Sequence, residues 1–379
     1  MCKSFDVIVI GMGAMGSATC LELARRGCRV LGLEQFSIPN NLGSSHGESR
    51  IIRLNYYENP DYVPLLRRTY EGWDRLEAES GEKLHFKTGG LYMGEESCDF
   101  IQGTLISSRV HDLPHETWSR EEVIKRYPQF NPPQSYMGIW ESNAGFVLPE
   151  AAISAMTRLA LNLGASVHGH EPVLGWDAQE GRVTVRTEQA TYEAGQVIIT
   201  SGAWAGQVLG EMGVKLEVTR QVLAWLWPKR PELFGPDRFP IWAIDDPNGF
   251  FFYGFPMQSG RVGLKVARHF YGPPISPDTI DRTPSEADKR EIRDAIKQYL
   301  PDGDGDILSM GVCMYTNTPD AHFIIDRHPR HQEVLMATGF SGHGFKFAPV
   351  IGEIMADLAL EGETKHPIDF LRLGRFDET

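Results

Sequence analysis

The amino-acid sequence predicts an α/β protein in which a domain built on a parallel sheet is interleaved with an α+β domain built on a mostly antiparallel sheet. Three observations support this prediction. The chain begins with a strand, a glycine-rich turn, a helix and a second strand; apolar strand-like runs return in the middle and near the end; and aromatic-rich strand candidates lie between these runs. The length of 379 residues also favours two domains, because a domain usually has about 100 to 200 residues.

The first unit, "DVIVIGMGAMGSATCLELARRGCRVLGLE", has the element order of a dinucleotide-binding motif. A buried strand at Asp6–Ile10 precedes Gly11, Gly13 and Gly16, a helix follows, and the next strand ends at Glu34. Such glycines allow the backbone to approach a pyrophosphate, while the acid can accept hydrogen bonds from ribose hydroxyls. An acid at this position disfavours a 2′-phosphate, so this unit alone is compatible with either FAD or NAD.

The elements that follow predict that the chain leaves the parallel sheet and returns to it more than once. Residues 151–163 have helical character and end at Gly164, and residues 183–201 are predicted to form a hairpin and then a buried strand of the same sheet. Residues 83–146 and 218–320 carry aromatic-rich strand candidates, which suit an antiparallel sheet that covers a ligand. The last unit is a short strand, a glycine-rich loop and a helix.

Composition excludes several classes of protein. A net charge of -13 disfavours a nucleic-acid surface, which needs an excess of positive charge, and no apolar run has the roughly 18 residues that a membrane span requires. The five cysteines are scattered and form no CxxC pair, so a cysteine metal site is not expected. The chain begins without a signal-peptide pattern, and together with the scattered cysteines this predicts a cytoplasmic protein.

The segment "GSSHGESRIIRLNYYENP" contains His46, Arg50, Arg53 and Tyr56 within eleven residues. Arg53 and Tyr56 are spaced by one helical turn, so a helix would direct both toward one pocket, with Arg50 on the same side. Arginine binds carboxylates well because its planar fork donates two parallel hydrogen bonds. The alternative is a solvated basic face, although the two isoleucines between the arginines indicate partial burial.

Three further groups of residues each admit a functional and a structural interpretation. Lys265 and His269 are four residues apart on a strand candidate, where Lys265 is either a buried functional charge or an outward-facing side chain. His343 and Lys346 precede a helix whose N-terminus attracts negative charge, or Lys346 is simply solvated. Cys313 is either a small buried hydrophobe or, beside cationic groups, a nucleophilic thiolate.

Nine short motifs, spread in order over nearly the whole chain, resemble those of a known enzyme family. They are "DVIVIGMGAMGSA", "SHGESRIIR", "YVPL", "GAW", "PNG", "YGFP", "GLK", "GVCMYTNTPDAHFIID" and "GFSGHGFKF". The sequence is similar to the monomeric sarcosine oxidase family of FAD-dependent amine oxidases, which includes N-methyltryptophan oxidase and relatives that act on pipecolate.

The resemblance implies a Rossmann-like FAD-binding domain interleaved with an α+β substrate domain on a mostly antiparallel sheet. The expected FAD-binding domain comprises residues 1–86, 146–218 and 321–379, and the expected substrate domain comprises residues 87–145 and 219–320. The resemblance further implies one FAD per chain, held covalently by an 8α-S-cysteinyl thioether to Cys313. It also implies a monomer with a small amino acid substrate and oxygen as its partners, and no nucleic acid, membrane or metal.

The resemblance also assigns roles to individual residues. It places Arg50 beside the flavin ring and Lys265 near flavin N5, where the lysine assists the reaction with oxygen. The catalytic residues that it implies are Lys265, Arg50, His269 and Tyr56. The substrate-binding residues that it implies are Arg53, Lys346 and Phe252. The cofactor-binding residues that it implies are Gly11, Gly13, Gly16, Glu34, Ser45, His46, Arg50, Cys313, Gly342, Gly344 and Lys346.

The activity implied by the resemblance is the oxidation of N-methyl or cyclic secondary amino acids. A hydride equivalent passes from the carbon beside nitrogen to flavin N5, the imine hydrolyses, and oxygen is reduced to hydrogen peroxide. Within the family, sarcosine, N-methyltryptophan and pipecolate or proline-type substrates all remain open. An NAD-dependent dehydrogenase and a flavoprotein without turnover are more remote alternatives.

Two departures from the family pattern affect the expected substrate. Ser45 stands where familiar members have the first of two histidines, and Phe252 immediately precedes Tyr253, where sarcosine oxidase has a tyrosine facing the substrate. A missing hydroxyl at Phe252 would make the pocket more apolar. The sequence therefore predicts a substrate that is bulkier or more apolar than sarcosine.

Overall fold

The structure is a computed structural model that describes residues 3–210, 212–258, 263–269 and 272–377. Its α-helices are α1 (Ala14–Arg25), α2 (Val63–Ser80), α3 (Asp99–Val110), α4 (Arg120–Arg126), α5 (Pro149–Asn162), α6 (Ala205–Leu209), α7 (Glu286–Tyr299) and α8 (Ala348–Leu360). Its strands are β1 (Lys3–Ile10), β2 (Val30–Leu33), β3 (Arg50–Ile52), β4 (His85–Lys87), β5 (Gly90–Glu95), β6 (Glu116–Trp118), β7 (Tyr136–Glu141), β8 (Gly145–Val147), β9 (Ser166–His168), β10 (Val173–Gln179), β11 (Arg182–Thr187), β12 (Thr191–Ile199), β13 (Glu217–Trp227), β14 (Ile241–Asp245), β15 (Phe251–Phe255), β16 (Leu264–His269), β17 (Asp306–Asn317), β18 (Ile324–His328) and β19 (His331–Thr338).

The first sheet has a parallel centre that surrounds β1. This strand pairs in parallel with β2 on one side and with β12 on the other, while β9 and β19 extend the parallel order outward. The predicted return of the chain to this sheet is confirmed by β12. Successive side chains of β1 alternate between two cores, so Val7 and Val9 pack with the helices while Ile8 and Ile10 pack on the other face.

One face of this sheet is covered by α1, α5 and α8, and α1 packs against both of the other helices. Every α1 residue from Ala14 to Ala24 is buried, as expected for a helix enclosed between a sheet and other helices. Helix α5 matches the helix predicted at residues 151–163, and Gly164 follows it with a φ of +96°. A left-handed glycine commonly ends a helix because it has no Cβ to oppose that conformation.

The strand order of the second sheet is β17, β13, β16, β15, β14, β5, β7, β6. Strands β14 and β5 pair in parallel, and the other neighbouring strands pair antiparallel. The prediction of a mostly antiparallel sheet is therefore confirmed. One face of this sheet packs on α7. The opposite face carries polar and aromatic side chains toward a cavity that the first sheet also lines.

The strands of the two sheets alternate along the chain. The first sheet takes its strands from residues 3–33, 166–199 and 324–338, whereas the second takes its strands from residues 90–141 and 217–317. This alternation confirms the interleaved fold class, while the domain boundaries stay a prediction. None of the helices in the described ranges is long and apolar enough to cross a membrane.

Candidate active site

A long cavity lies between the carboxyl ends of β1 and β2 and the inner face of the second sheet. The first sheet contributes Gly11 and Glu34 to its wall, and the second contributes His269 and Cys313. Lys346, which precedes α8, completes the wall. In open α/β sheets, ligands bind outside the carboxyl ends of parallel strands, so the location of this cavity is the expected one.

The turn between β1 and α1 brings bare backbone to the cavity. Gly11 has a φ of +93°, and a Cβ there would lie 2.7 Å from the carbonyl oxygen of Thr200. A Cβ on Gly16 would lie 1.8 Å from the carbonyl oxygen of Gly11, so this glycine allows α1 to approach β1 closely. Gly13 precedes α1 without a side-chain cap, and the first turn of α1 lines the cavity. Free N–H groups at a helix start bind phosphates.

Polar groups beside this turn fit the rest of a dinucleotide. The Glu34 carboxylate accepts the N–H groups of Met12 at 2.9 Å and Phe36 at 3.0 Å, which leaves acceptor capacity for ribose hydroxyls. Burial raises the pKa of this carboxyl. Within the described chain, the Oγ atoms of Ser44 and Ser201 are buried without a hydrogen-bond partner, and both residues line the cavity. Buried hydroxyls without partners indicate a polar ligand, and FAD fits this cradle.

Cys313 lies on β17 with its thiol close to the arginine of β3. The Arg50 Nη2 atom is 3.7 Å from the Cys313 sulfur, and the Ser44 carbonyl oxygen is 3.6 Å from it. Burial alone would raise the pKa of this thiol, but His46 and Arg50 lower it to about 7. A thiol that ionises near neutral pH is a nucleophile, so the interpretation of Cys313 as an inert hydrophobe is disfavoured.

Lys265 is buried, and the interpretation as an outward-facing side chain is wrong. Its ammonium donates to the carbonyl oxygens of Gly47 at 2.6 Å and Ser49 at 2.8 Å. Burial, with the charge of Arg50, holds the pKa of Lys265 well below its usual range. The side chain lies behind the loop at residues 44–50 and is not part of the cavity lining.

The same loop is held from its other side by Glu150, at the start of α5. This carboxylate accepts the N–H group of Gly47 at 2.6 Å and that of Glu48 at 3.1 Å. Arg50 then bridges the loop, donating from Nη1 to the Ser49 carbonyl and from Nη2 to the Ser44 carbonyl, each at 2.9 Å. The loop therefore has a defined shape where it borders the cavity.

Arg53 lines the cavity but does not lie on a helix. Residues 50–52 form β3, which pairs with β8, and the chain beyond is irregular, so the predicted helical spacing of Arg53 and Tyr56 is wrong. The two side chains still meet, because the guanidinium lies 4.6 Å from the Tyr56 ring centre. The Arg53 Nη2 atom donates to both carboxylate oxygens of Glu58, at 2.9 and 2.7 Å. Burial alone would lower the pKa of Arg53, but Glu58 raises it.

Lys346 belongs to a buried hydrogen-bonded group with Tyr56 and His343. Its ammonium donates to the His343 carbonyl at 2.7 Å and to the Tyr56 hydroxyl at 3.4 Å. The His343 Nε2 lies 2.9 Å from the carbonyl oxygen of Ala321, which requires an Nε2 proton, so Nδ1 accepts from the Tyr56 hydroxyl at 2.6 Å. Burial lowers the pKa of Lys346 to about 7. Tyr56 does not line the cavity, so its predicted position in the lining of the substrate site is corrected.

The inner face of the second sheet supplies the remaining wall. Alternation along β15 and β16 directs Phe251, Tyr253 and His269 into the cavity, and Tyr315 on β17 joins them. The His269 Nδ1 atom is 3.2 Å from the Tyr315 hydroxyl. Burial and the nearby His343 lower the pKa of His269 to about 4. His269 is therefore neutral at physiological pH.

Phe252 points away from the cavity, and its predicted role in substrate binding is wrong. It lies on the other face of β15, in the core that packs on α7, with its ring 6.5 Å from that of Tyr299. The tyrosine next to it, Tyr253, faces the cavity. Phe252 therefore does not deprive the pocket of a hydroxyl, and β15 presents the hydroxyl-bearing Tyr253 to the cavity instead.

The structure brings most of the predicted site residues to one cavity. Those that line it are Gly11, Gly13, Glu34, Ser45, Arg50, Arg53, His269, Cys313, Gly342, Gly344 and Lys346. Those that do not line it are Gly16, His46, Tyr56, Lys265 and Phe252. Sequence reasoning missed Ser44, Tyr57, Glu58, Tyr253 and Tyr315. Tyr315 follows Cys313 by two residues on β17, and side chains two apart on a strand point to the same face, so its position in the wall was predictable from Cys313. No sequence pattern indicated Glu58.

The site is that of an oxidoreductase that binds a dinucleotide cofactor, because the cavity between the two sheets joins a dinucleotide cradle to a wall rich in cations. Residues 6–358 match the model of the family described as DAO, FAD dependent oxidoreductase. The chain is 44% identical to a monomeric sarcosine oxidase of Streptomyces avermitilis, with 97% of each chain covered. It is 34% identical to an N-methyl-L-tryptophan oxidase of Salmonella arizonae, with 99% of this chain and 100% of the other covered.

Solved structures show the same fold. NikD, an unusual amino acid oxidase essential for nikkomycin biosynthesis, superposes with a TM-score of 0.86 at 25% identity, with 98% of this chain and 97% of the other covered. L-proline dehydrogenase from P. horikoshii also gives 0.86, at 23% identity, with 100% and 99% covered. The chain belongs to the FAD-dependent oxidoreductase family and, within it, to the group of monomeric sarcosine oxidases and N-methyltryptophan oxidases. It is a flavin-dependent amine oxidase that acts on CH–NH groups with oxygen. Of the two dinucleotides that the N-terminal motif allows, its cofactor is therefore FAD and not NAD.

Proposed function

We propose that this enzyme oxidises N-methyl or cyclic secondary amino acids of the sarcosine type. The carbon beside nitrogen loses a hydride equivalent, water hydrolyses the imine, and oxygen accepts the two electrons to give hydrogen peroxide. The observation that supports this proposal is the presence of two cations, Arg53 and Lys346, in one wall of the cavity. A fixed pair of cations suits the carboxylate of an amino acid.

Glu58 supports the assignment of this wall to carboxylate binding. Its carboxylate accepts two hydrogen bonds from the Nη2 atom of Arg53, so this guanidinium already holds one carboxylate in the cavity wall. Arg53 is fixed further by its contact to the Asn55 carbonyl at 2.7 Å. A substrate carboxylate would therefore compete with Glu58 for the Nη2 atom of Arg53 or bind between Arg53 and Lys346.

The charges of the wall also favour the reactive form of the amine. A secondary amine can release a hydride equivalent only when its nitrogen is unprotonated, because an ammonium has no lone pair to stabilise the developing cation. Arg53 and Lys346 oppose a further positive charge beside them, which lowers the pKa of a bound amine. His269, with a pKa of about 4, adds no positive charge at neutral pH and can hydrogen-bond as a neutral ring.

The residues that would hold FAD are the Gly11–Gly16 turn, Glu34, Ser45, Gly342 and Gly344, with Cys313 as the covalent anchor. When bound, FAD accepts the electrons of the substrate C–H bond and passes them to oxygen. Cys313 would supply the sulfur of a thioether to the 8-methyl carbon, and the two hydrogens lost in forming this thioether would pass to oxygen as hydrogen peroxide. The thiol pKa of about 7 supports this role, because the thiolate is the reacting form.

A cluster of aromatic rings in the cavity wall bears on the substrate side chain. Tyr57, Phe100 and Phe251 line the cavity, with the Phe100 and Phe251 ring centres 4.8 Å apart and those of Tyr57 and Phe100 5.0 Å apart. Apolar rings favour an apolar substituent, because burying one methylene contributes about 0.8 kcal/mol. This cluster, rather than Phe252, supports a preference for substrates that are bulkier than sarcosine.

Peroxide release from a substrate panel tests the proposed function. We expect turnover of sarcosine, N-methylalanine, N-methyltryptophan, pipecolate and proline to exceed that of glycine, and KM for the best apolar substrate to be lower than KM for sarcosine. Peroxide is measured with flavin-loaded enzyme under air. If no secondary amino acid releases peroxide above the glycine level, the proposed function is wrong.

The affinity for carboxylates should fall as pH rises through about 7. Burial lowers the pKa of Lys346 to about 7, so this side chain is charged below that pH and neutral above it. Acetate has no amine, and its own charge is constant between pH 6 and 9, so its Kd isolates this effect. We expect the Kd to rise up to tenfold per pH unit above 7 in wild type and to be nearly flat in Lys346→Met. The measurement is a titration of the flavin absorbance, and a flat wild-type profile would contradict this assignment.

A further inference from the structure

Glu141 is a buried carboxylate, 87 residues from Leu54 in sequence, that contacts the segment carrying Arg53. It ends β7, and its side chain is 1% exposed, so protein groups rather than solvent must satisfy it. Its Oε1 accepts the N–H group of Leu54 at 2.7 Å, and its Oε2 accepts the N–H group of Asn55 at 3.3 Å. Oε2 also accepts the Tyr92 hydroxyl at 2.9 Å.

These contacts reach Arg53 by two routes. The Arg53 Nη1 atom donates to the carbonyl oxygen of Asn55 at 2.7 Å. Glu141 binds the N–H group of the same residue, so Asn55 connects Glu141 to the guanidinium. The guanidinium also lies 5.6 Å from the ring centre of Tyr92, whose hydroxyl Glu141 fixes. Residues 53–55 lie outside the regular strands and helices, so side-chain contacts must define their path.

We propose that Glu141 is a positioning residue for carboxylate binding, which holds the Leu54–Asn55 backbone and Tyr92 so that the Arg53 fork faces the cavity. The inference rests on the proposed function, because it presumes that the substrate carboxylate meets Arg53. Glu141 itself does not line the cavity and touches no reacting atom. Without the two acceptor oxygens of Glu141, the N–H groups of Leu54 and Asn55 lose their fixed place. The guanidinium that donates to the Asn55 carbonyl then loses its direction.

Glu77 provides a matched control. Its Oε1 accepts the N–H groups of two consecutive residues, Leu84 and His85, each at 2.7 Å. Glu141 likewise binds two consecutive N–H groups, those of Leu54 and Asn55, but with one oxygen for each. Glu77 does not line the cavity. Glu77→Ala should therefore lower the unfolding temperature through the lost backbone contacts and leave ligand affinity unchanged.

The test compares Glu141→Ala, Glu141→Gln and Glu77→Ala in flavin-loaded protein, with the Kd of acetate from flavin absorbance and with KM and kcat for the best substrate. We expect Glu141→Ala to raise both Kd and KM about tenfold or more, since small misplacements of a binding group have effects of this size. Its kcat should stay within about threefold of wild type. Glu141→Gln keeps one acceptor and should give an intermediate Kd, which preserves the test if the alanine variant does not fold.

A double variant separates positioning from general damage. If Glu141 acts through the guanidinium, Glu141→Gln should not change the Kd of acetate further in an Arg53→Ala background. An unchanged Kd in the single Glu141 variants, or an equal further loss in the double variant, would overturn the inference. Failure of the proposed function is distinct, because Arg53→Ala alone would then leave the Kd of acetate unchanged.

Discussion

Arg53→Ala should raise KM for the best carboxylate-bearing substrate about 100-fold while kcat changes much less. The guanidinium is buried, fixed by the Asn55 carbonyl and surrounded by aromatic rings, so its charge has a defined place in the cavity wall. Loss of a charge-assisted hydrogen-bond pair costs about 3 kcal/mol, and about 1.4 kcal/mol corresponds to a factor of ten. The measurement is steady-state peroxide release over a range of substrate concentrations.

Arg68→Ala is the matched control for this prediction. Arg68 also donates to both oxygens of one carboxylate, that of Glu353, at 2.7 and 2.6 Å, but it does not line the cavity. Its loss should affect stability without changing KM. Glu58→Gln should lower KM, because it weakens the internal competitor for the Arg53 fork. Unchanged KM in Arg53→Ala would mean that the substrate carboxylate binds elsewhere.

Cys313→Ser should fold and bind FAD but lose the covalent link. After acid precipitation, the wild-type pellet should stay yellow, whereas the flavin of the variant should appear in the supernatant. We also expect the activity of Cys313→Ser to fall by at least tenfold, because an unattached flavin is held by non-covalent contacts only. The thiol is buried beside Arg50 and His46, which lower its pKa to about 7 and so make it reactive before attachment.

Cys98→Ser provides the comparison. Cys98 is half-buried at the start of α3, and burial raises the pKa of its thiol to about 11. A thiol of this kind is protonated at neutral pH, so its replacement should leave the flavin attached. If Cys313→Ser kept its flavin after acid treatment, another residue would have to form the link.

The parts of the fold that follow local rules were predictable from sequence. The run from β1 through α1 to Glu34 has its strand, glycines and helix adjacent in the chain, so periodicity and spacing were sufficient. The path of residues 50–56 was not predictable in the same way. Arg50–Ile52 pair with β8, almost 100 residues away, and this pairing overrides the helical spacing that the segment shows by itself.

The candidate site shows a second limit. Phe252 and Tyr253 are neighbours, but a shift of one residue along a strand moves a side chain to the opposite face of the sheet. A motif that is aligned one position away therefore selects a core residue in place of a cavity residue. The pairs of Arg53 with Glu58 and of Leu54 with Glu141 depend on irregular chain and on a distant strand end, and no local pattern predicts such contacts.

Lys265 joins the second sheet to the loop at residues 44–50 through two carbonyl groups, while Glu150 binds the same loop from α5. The conformational entropy of this loop is therefore lost when the chain folds and not when a ligand arrives. The result is preorganisation: protein contacts alone fix the loop that presents Arg50 to Cys313. Association with a cofactor then needs little reordering of this part of the chain.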